Sequence, residues 1–222
     1  MNWLFRYLTS SIGKKQLMAV TGLMLYGFLI THLMGNFLLF LGAEKFNTYG
    51  HMLITNPMII PMEIGLLSLF VIHIALALTS AKENMAARPV NYGAPLCTKF
   101  TKVSSQTMVL SGMAVLVFLV VHIVGVKYGT HYTVDYHGVV MRDLHRLLVE
   151  IYHNPIVTIF YVASMGILGF HITHGLQSAF QTLGFNHKKY TPMIKATSFF
   201  LGWGLAVGYS AVVIFTAMQK VV

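Results

Sequence analysis

The chain has 222 residues, of which 56% are hydrophobic and 9% are charged, and its formal net charge is +9. A mean hydropathy of +0.69 excludes an ordinary water-soluble domain and indicates an integral membrane protein. The single Cys97 excludes an internal disulfide and a CxxC redox pair, and the sequence has no Gly-rich phosphate loop.

Five apolar runs are each long enough for a helix of about 20 residues to cross a bilayer. They cover approximately residues 16–41, 60–81, 107–126, 155–180 and 196–218. The runs lack the alternating pattern of a membrane barrel. We therefore predict an all-α membrane protein, with the whole chain forming one domain of five transmembrane helices.

The loop between the third and fourth runs contains a short amphipathic segment. Its apolar face is formed by Leu144, Leu147, Leu148 and Ile151. This pattern predicts an interfacial helix at about residues 139–152 that lies along the membrane surface. Asn154 and Pro155 are then predicted to be the N-cap and first residue of the fourth span.

The basic residues predict the orientation. Ten of the fifteen Lys and Arg residues fall on the N-terminal side of the predicted spans, together with only one acidic residue, Glu83. The positive-inside rule therefore predicts a cytoplasmic N-terminus. Topology and attraction to anionic membrane lipid explain such a basic face, and docking of a cytoplasmic partner is the alternative.

Five of the eleven histidines fall within the predicted spans, where an imidazole needs a bonding partner. They are His32, His73, His122, His171 and His174. Counted at about 1.5 Å per residue from the inner ends of the spans, His32 and His122 lie toward the outer half. His73 and His171 lie toward the inner half.

Two pairs of imidazoles at two depths suit bis-histidine haem, whereas zinc would need three or four clustered ligands. We therefore predict two non-covalent b haems. His32 and His122 are the predicted ligands of the outer haem iron, and His73 and His171 those of the inner haem iron.

An internal repeat supports this interpretation. Residues 20–35, VTGLMLYGFLITHLMG, align without gaps with residues 110–125, LSGMAVLVFLVVHIVG. Gly22 and Gly112 each precede a histidine by ten residues, which places them about 15 Å deeper, near the inner pair. We expect them to make room for the inner haem, although close helix packing would also explain them.

His171 and His174 share one face of the fourth span, but one haem face accepts a single ligand. We assign His171 as the ligand, partly because Gly166 and Gly169 are expected to clear space beside it. His174 is expected to hydrogen-bond a neighbouring helix or a haem propionate, and ligation or proton transfer is the alternative.

These features resemble one family, the five-helix dihaem cytochrome b subunits that anchor bacterial succinate dehydrogenases and fumarate reductases. The resemblance covers essentially the whole chain, in order. Its matching elements are Thr21-Gly22 spaced before His32, His73 late in the second helix, Ser111-Gly112 spaced before His122, and FHITHGLQS at 170–178, which looks like the family's F-H-x-x-x-G-L-x-S.

The resemblance implies a multi-subunit succinate:quinone oxidoreductase in the bacterial cytoplasmic membrane. A flavoprotein subunit and an iron-sulfur subunit would dock on the cytoplasmic face, and the flavin chemistry would belong to them. Electrons would pass through the two haems to or from a membrane quinone, often menaquinone. No nucleic-acid partner is expected.

The sequence departs from the family at two positions, which limits the residue roles that the resemblance implies for this chain. Gly169 stands where some members have a glutamate implicated in transmembrane proton movement, so that route is not implied here. Some members also have an acidic residue near the outer quinone pocket. Glu63 is the nearest candidate for proton transfer there, and its place at the start of the second helix is the alternative explanation.

Two other functions stay open. A dihaem cytochrome b of a hydrogenase or formate dehydrogenase commonly has more than one ligand on a single helix, so both His171 and His174 would have to bind iron. A small transporter could use the histidines to relay protons or bind a transition metal. That transporter would show no haem absorbance.

Overall fold

The computed structural model describes residues 3–86 and 101–220 and is mostly helical. The long helices are α2 (Ser11–Asn36), α4 (Ile59–Ala86), α5 (Thr101–His122), α7 (Pro155–Thr182) and α8 (Thr191–Ala217). The shorter elements are α1 (Trp3–Thr9), α3 (Ala43–Thr55), strands β1 (Thr133–Tyr136) and β2 (Val139–Arg142), and α6 (Leu144–His153). A 3-10 turn, Phe37–Leu41, follows α2, and a π-helical turn, Ile123–Lys127, follows α5.

The five predicted spans are confirmed as helices long and apolar enough to cross a membrane, which indicates a multi-pass membrane protein. They are Ser11–Leu41, Ile59–Ala86, Thr107–Lys127, Pro155–Thr182 and Thr191–Ala217. The predicted cap of the fourth span is also confirmed. The Asn154 side chain accepts the N–H of Ile156 at 2.9 Å, and Pro155 is the first helical residue.

Ion pairs at both ends show that α4 runs antiparallel to its neighbours. Lys14 near the start of α2 pairs with Glu83 near the end of α4. Lys127 beyond α5 pairs with Glu63 near the start of α4, with N and O 2.6 Å apart. We call the first of these ends the N-side end. The second, which carries α3, the β1–β2 hairpin and α6, is the loop end.

Small residues bring α7 and α8 close together. A Cβ built on Gly169 would lie 2.8 Å from the Cβ of Ala206 and 3.2 Å from the carbonyl oxygen of Gly202. Such contacts let two helix backbones approach without a side chain between them. In contrast, α4 has no buried residue, so the packed core is formed mainly by α2, α7, α8 and the loop-end elements.

The loop end has more structure than the sequence predicted. Residues 139–142, expected to begin the interfacial helix, instead form β2, which pairs antiparallel with β1, and the helix starts at Leu144. Its residues Leu147 and Leu148 are both 4% exposed and contribute to the buried core. The apolar face of α6 therefore packs against protein, and the predicted position of the helix along the membrane surface stays a prediction.

A buried asparagine fastens α3 to α6. The side-chain amide of Asn47, which is fully buried, donates to Asp143 at 2.8 Å, and its oxygen accepts the N–H of His145 at 2.9 Å. Asp143 also accepts the N–H of Arg146 at 3.0 Å and so caps α6. Helix α3 itself was not predicted from the sequence.

Candidate functional site

The two histidines predicted to lie in the outer half are close together in the structure. The ring centroids of His32 on α2 and His122 on α5 are 6.0 Å apart, and the two rings are nearly perpendicular at 82°. Both side chains are partly buried. The structure therefore brings together the first predicted pair, from two helices 90 residues apart in the sequence.

Each of these rings stacks on a phenylalanine one helical turn earlier. Phe28 lies 5.3 Å from His32 at an interplanar angle of 17°, and Phe118 lies 5.6 Å from His122 at 23°. The sequence repeat is thus a structural repeat, with equivalent residues in equivalent contacts. Stacking on a neighbour restricts the imidazole rotamers and helps to fix where their nitrogens point.

Two tyrosines that sequence reasoning missed complete the surroundings of this pair. The ring of Tyr209 on α8 lies 6.0 Å from that of His32, and its hydroxyl donates to the carbonyl of Leu29 at 2.7 Å. The hydroxyl of Tyr161 on α7 lies 3.5 Å from Nδ1 of His122, a weak contact. Neither tyrosine belongs to the repeat, so no local sequence signal connects it with a histidine.

The other two predicted ligands are each held by a hydroxyl from the repeat. Thr21 Oγ1 lies 3.1 Å from Nδ1 of His73, and Ser111 Oγ lies 3.1 Å from Nδ1 of His171. Both hydroxyl residues are 7% exposed. His73 of α4 therefore lies against α2, and His171 of α7 lies against α5, in matching arrangements.

The neighbouring backbone carbonyls favour one tautomer of these two histidines. A hydroxyl has one hydrogen, and Thr21 donates it to the carbonyl of Leu17 at 2.9 Å, while Ser111 donates to Met108 at 3.0 Å. Each hydroxyl oxygen then accepts the Nδ1–H of its histidine. Nε2 of His73 and of His171 consequently keeps a free lone pair, which is the form of imidazole that binds a metal.

The two glycines of the repeat lie beside these imidazoles. A Cβ built on Gly22 would lie 3.1 Å from Cε1 of His73, and one on Gly112 would lie 3.3 Å from Cε1 of His171. The glycines therefore lie near the inner histidines in depth and make room for the imidazole rings themselves. Their expected contact with a haem stays a prediction.

The explanation given for Gly169 was wrong. It was expected to clear space beside His171, but α8 fills that space, because Gly169 is buried against Ala206 and Gly202. Gly166 has open space where its side chain would be. His174, one turn beyond Phe170, stacks on that ring at 6.3 Å and 11°, and its expected hydrogen bond to a helix or propionate stays a prediction.

The π-helical turn after His122 is fixed from the loop end. Arg142 donates to the carbonyls of Val126 at 2.9 Å, Lys127 at 3.1 Å and Gly129 at 3.4 Å, while its Nε is buried without a partner among the described residues. Glu63 pairs with Lys127, the last residue of the turn. Its observed partner is thus an ammonium group, and its predicted role in proton transfer stays a prediction.

Among residues 3–86 and 101–220, no group of three or more His, Cys, Asp or Glu side chains could hold a metal ion. Haem iron needs only two axial ligands from the protein, so the fitting donor set is a pair of imidazoles. Fold and site together define a class: within the described residues, a bundle of five candidate membrane helices in which His32, His73, His122 and His171, from four different helices, lie at two levels, with His174 as a second histidine on α7. No family model, curated protein or solved structure matched the chain in comparisons with known proteins.

Proposed function

We propose that the chain is a dihaem cytochrome b that anchors a succinate:quinone oxidoreductase, a succinate dehydrogenase or fumarate reductase, in the bacterial cytoplasmic membrane. The observation that carries the proposal is the two-level arrangement of the histidines. His32 faces His122 at one level, and His73 and His171 are each held through Nδ1 by a hydroxyl of the repeat at the other.

The spacing of the outer pair supports haem ligation. Two iron–nitrogen bonds of about 2 Å, with the ring radius added on each side, separate the centroids of two axial imidazoles by roughly 6 Å. The observed separation is 6.0 Å. His32 and His122 would hold the outer haem, and Phe28 and Phe118 would keep their rings in orientation.

The inner pair is supported by its hydrogen bonds. The bonds to Thr21 and Ser111 keep the proton of each imidazole on Nδ1 and orient Nε2 for an inner haem. Such bonds also raise the donor strength of an imidazole. When bound, the two haems supply one-electron carriers that connect one side of the membrane with the other.

The charges support the orientation, and the resemblance implies the partners. With the N-side end in the cytoplasm, the positive-inside rule is satisfied, and the inner histidines lie toward the cytoplasmic surface. A flavoprotein and an iron-sulfur subunit would bind at this basic end. The quinone, often menaquinone in the family that the chain resembles, would react nearer the outer pair.

The test is purification of the tagged full-length chain from its native membranes, with flavin and haem measured in the same preparation. We expect a flavoprotein and an iron-sulfur protein to co-purify, and succinate to reduce bound haem. Co-purification of a hydrogenase or formate dehydrogenase with the haem would assign the chain to the alternative respiratory complexes. Folded protein without haem would leave the transporter as the better hypothesis.

A further inference from the structure

The first short helix, α1, has large apolar side chains that the described residues leave uncovered. Trp3 is 75% exposed and Phe5 is 55% exposed, whereas Leu8 is partly buried. At about 100° per residue, these three side chains and Tyr7 fall within about 200° of the helix circumference. Arg6 lies near the middle of the remaining arc. Helix α1 is therefore amphipathic, with a wide apolar side and a cationic group opposite.

Hydrogen bonds fix the turn between α1 and α2. The Ser10 hydroxyl oxygen accepts the N–H of Gly13 at 3.1 Å, and the hydroxyl donates to the carbonyl of Tyr7 at 2.6 Å. A Cβ built on Gly13 would overlap the same carbonyl oxygen, so only a glycine lets the two helices meet this closely. Helix α1 is thus held in a fixed direction at the start of the first span.

Gln16 gives the depth of α1 in the membrane. It precedes the apolar run of the first span, so it lies near the boundary between the hydrocarbon and the lipid head groups. The hydroxyl of Tyr7 donates to the side-chain oxygen of Gln16. Because Tyr7 reaches this boundary from α1, the apolar side of α1 lies at the membrane interface, where Trp and Tyr side chains are enriched.

The cations at this level are only partly neutralised by the described chain. Lys14 pairs with Glu83 of α4. Arg6 and Lys15 are exposed, and neither makes an ion pair with another described residue. Their charge complements the phosphate groups of anionic lipids.

We propose that α1 is an interfacial anchor that lies on the bilayer surface, with Trp3 and Phe5 inserted into the interface and Arg6 and Lys15 bound to anionic lipid. Such a helix binds through its buried apolar area together with attraction to anionic head groups. The fixed turn then holds the start of α2 at the membrane surface. The inference needs only the membrane spans and is independent of haem binding.

The experiment measures the tryptophan fluorescence of the purified full-length chain in vesicles of phosphatidylcholine with about 30% phosphatidylglycerol. The chain has two tryptophans, so Trp203→Phe leaves Trp3 as the single reporter. Trp3→Phe is the matched control, because it leaves Trp203, which is 38% exposed near the middle of α8. Phospholipids brominated near the head group should quench Trp3 at least about twofold more than those brominated near the chain ends. Trp203 should show the reverse order.

The charge is tested in the Trp203→Phe protein with acrylamide, a neutral quencher in the aqueous phase. Vesicles of phosphatidylcholine alone should raise the quenching of Trp3 about twofold relative to the anionic vesicles. Arg6→Gln should reduce this dependence on lipid charge. Equal quenching of Trp3 in neutral and anionic vesicles would overturn the role of Arg6 and Lys15.

The turn is tested with two valine substitutions on α2 in the same protein. Gly13→Val prevents the close turn, so it should lower the quenching of Trp3 by brominated lipid at least about twofold. Gly27→Val should leave it unchanged, since no atom of the described residues lies within 4 Å of that Cβ position. Circular dichroism confirms that each variant is folded.

Two results would overturn the anchor itself. One is Trp3 that brominated lipid does not quench and that acrylamide quenches as strongly as free tryptophan. The other is Trp3 that is shielded only when a partner protein co-purifies, which would assign the apolar side of α1 to that partner. Haem content enters neither result, so a failure of the proposed function would leave this test intact.

Discussion

The outer and inner histidine levels present the same imidazole groups in different surroundings. At the outer level, the rings of His32 and His122 face each other among aromatic side chains, and the contact that reaches Nδ1 of His122 from the described residues is a weak one. At the inner level, His73 and His171 are fixed by hydroxyls. We infer that ring packing fixes the orientation of the outer imidazoles, whereas hydrogen bonds fix the orientation of the inner ones.

Removal of a ligand should have the largest effect and should separate the two levels. His171→Ala is expected to lose the inner haem and His122→Ala the outer haem, because each iron would keep only one strong axial ligand. The pyridine haemochrome assay should then give one haem per chain in either variant. Retention of both haems in His171→Ala would contradict its assignment.

A larger side chain at Gly22 should disturb the inner histidine pair and leave the outer pair unchanged. A single Cβ there would already lie 3.1 Å from His73, so the larger side chain in Gly22→Val must displace the imidazole. We expect loss of most of the inner haem with the outer haem unchanged. Gly27→Val is the matched control on the same helix, because no atom of the described residues lies within 4 Å of its Cβ position. Equal haem spectra in the two variants would refute the role of Gly22.

Thr21→Val should have a smaller effect, because it removes the hydroxyl and keeps the shape. The imidazole of His73 would lose the Thr21 oxygen but keep a hydrogen bond to the backbone of Met18, at a cost of about 1 kcal/mol, or about fivefold in inner haem affinity. A less basic imidazole stabilises ferric iron less, so the midpoint potential of the inner haem should rise. Redox titration checks the shift. Thr21→Ser restores the acceptor and should return the potential toward that of the wild type.

The smallest effect is expected at the outer level. Tyr161→Phe removes a hydroxyl 3.5 Å from His122, and such a long contact contributes less than about 1 kcal/mol. The outer haem should be retained, with at most a several-fold change in affinity. A larger shift in the midpoint potential of the outer haem in Tyr161→Phe than in that of the inner haem in Thr21→Val would contradict the account. Hydrogen bonds would then matter more at the outer level than at the inner one.

The spans and the levels of the histidines could be predicted because hydropathy and the rise per residue are local properties of a helix. The hydrogen bond of Thr21 to His73 could not be predicted, because it depends on how α4 packs against α2. The repeat pointed to Thr21-Gly22 only by its spacing before His32. The hydrogen bond of Asn47 to Asp143, 96 residues away, likewise has no local sequence signal, and it joins α3 to α6 at the loop end. Gly169 shows the converse, since its small size serves α8 rather than the histidine site.

The most direct measurement is the reduced-minus-oxidised spectrum of the purified wild-type chain, with haem quantified per polypeptide by the pyridine haemochrome method. The account predicts two b-type haems per chain. Folded protein from haem-replete cells that contains no haem would contradict it.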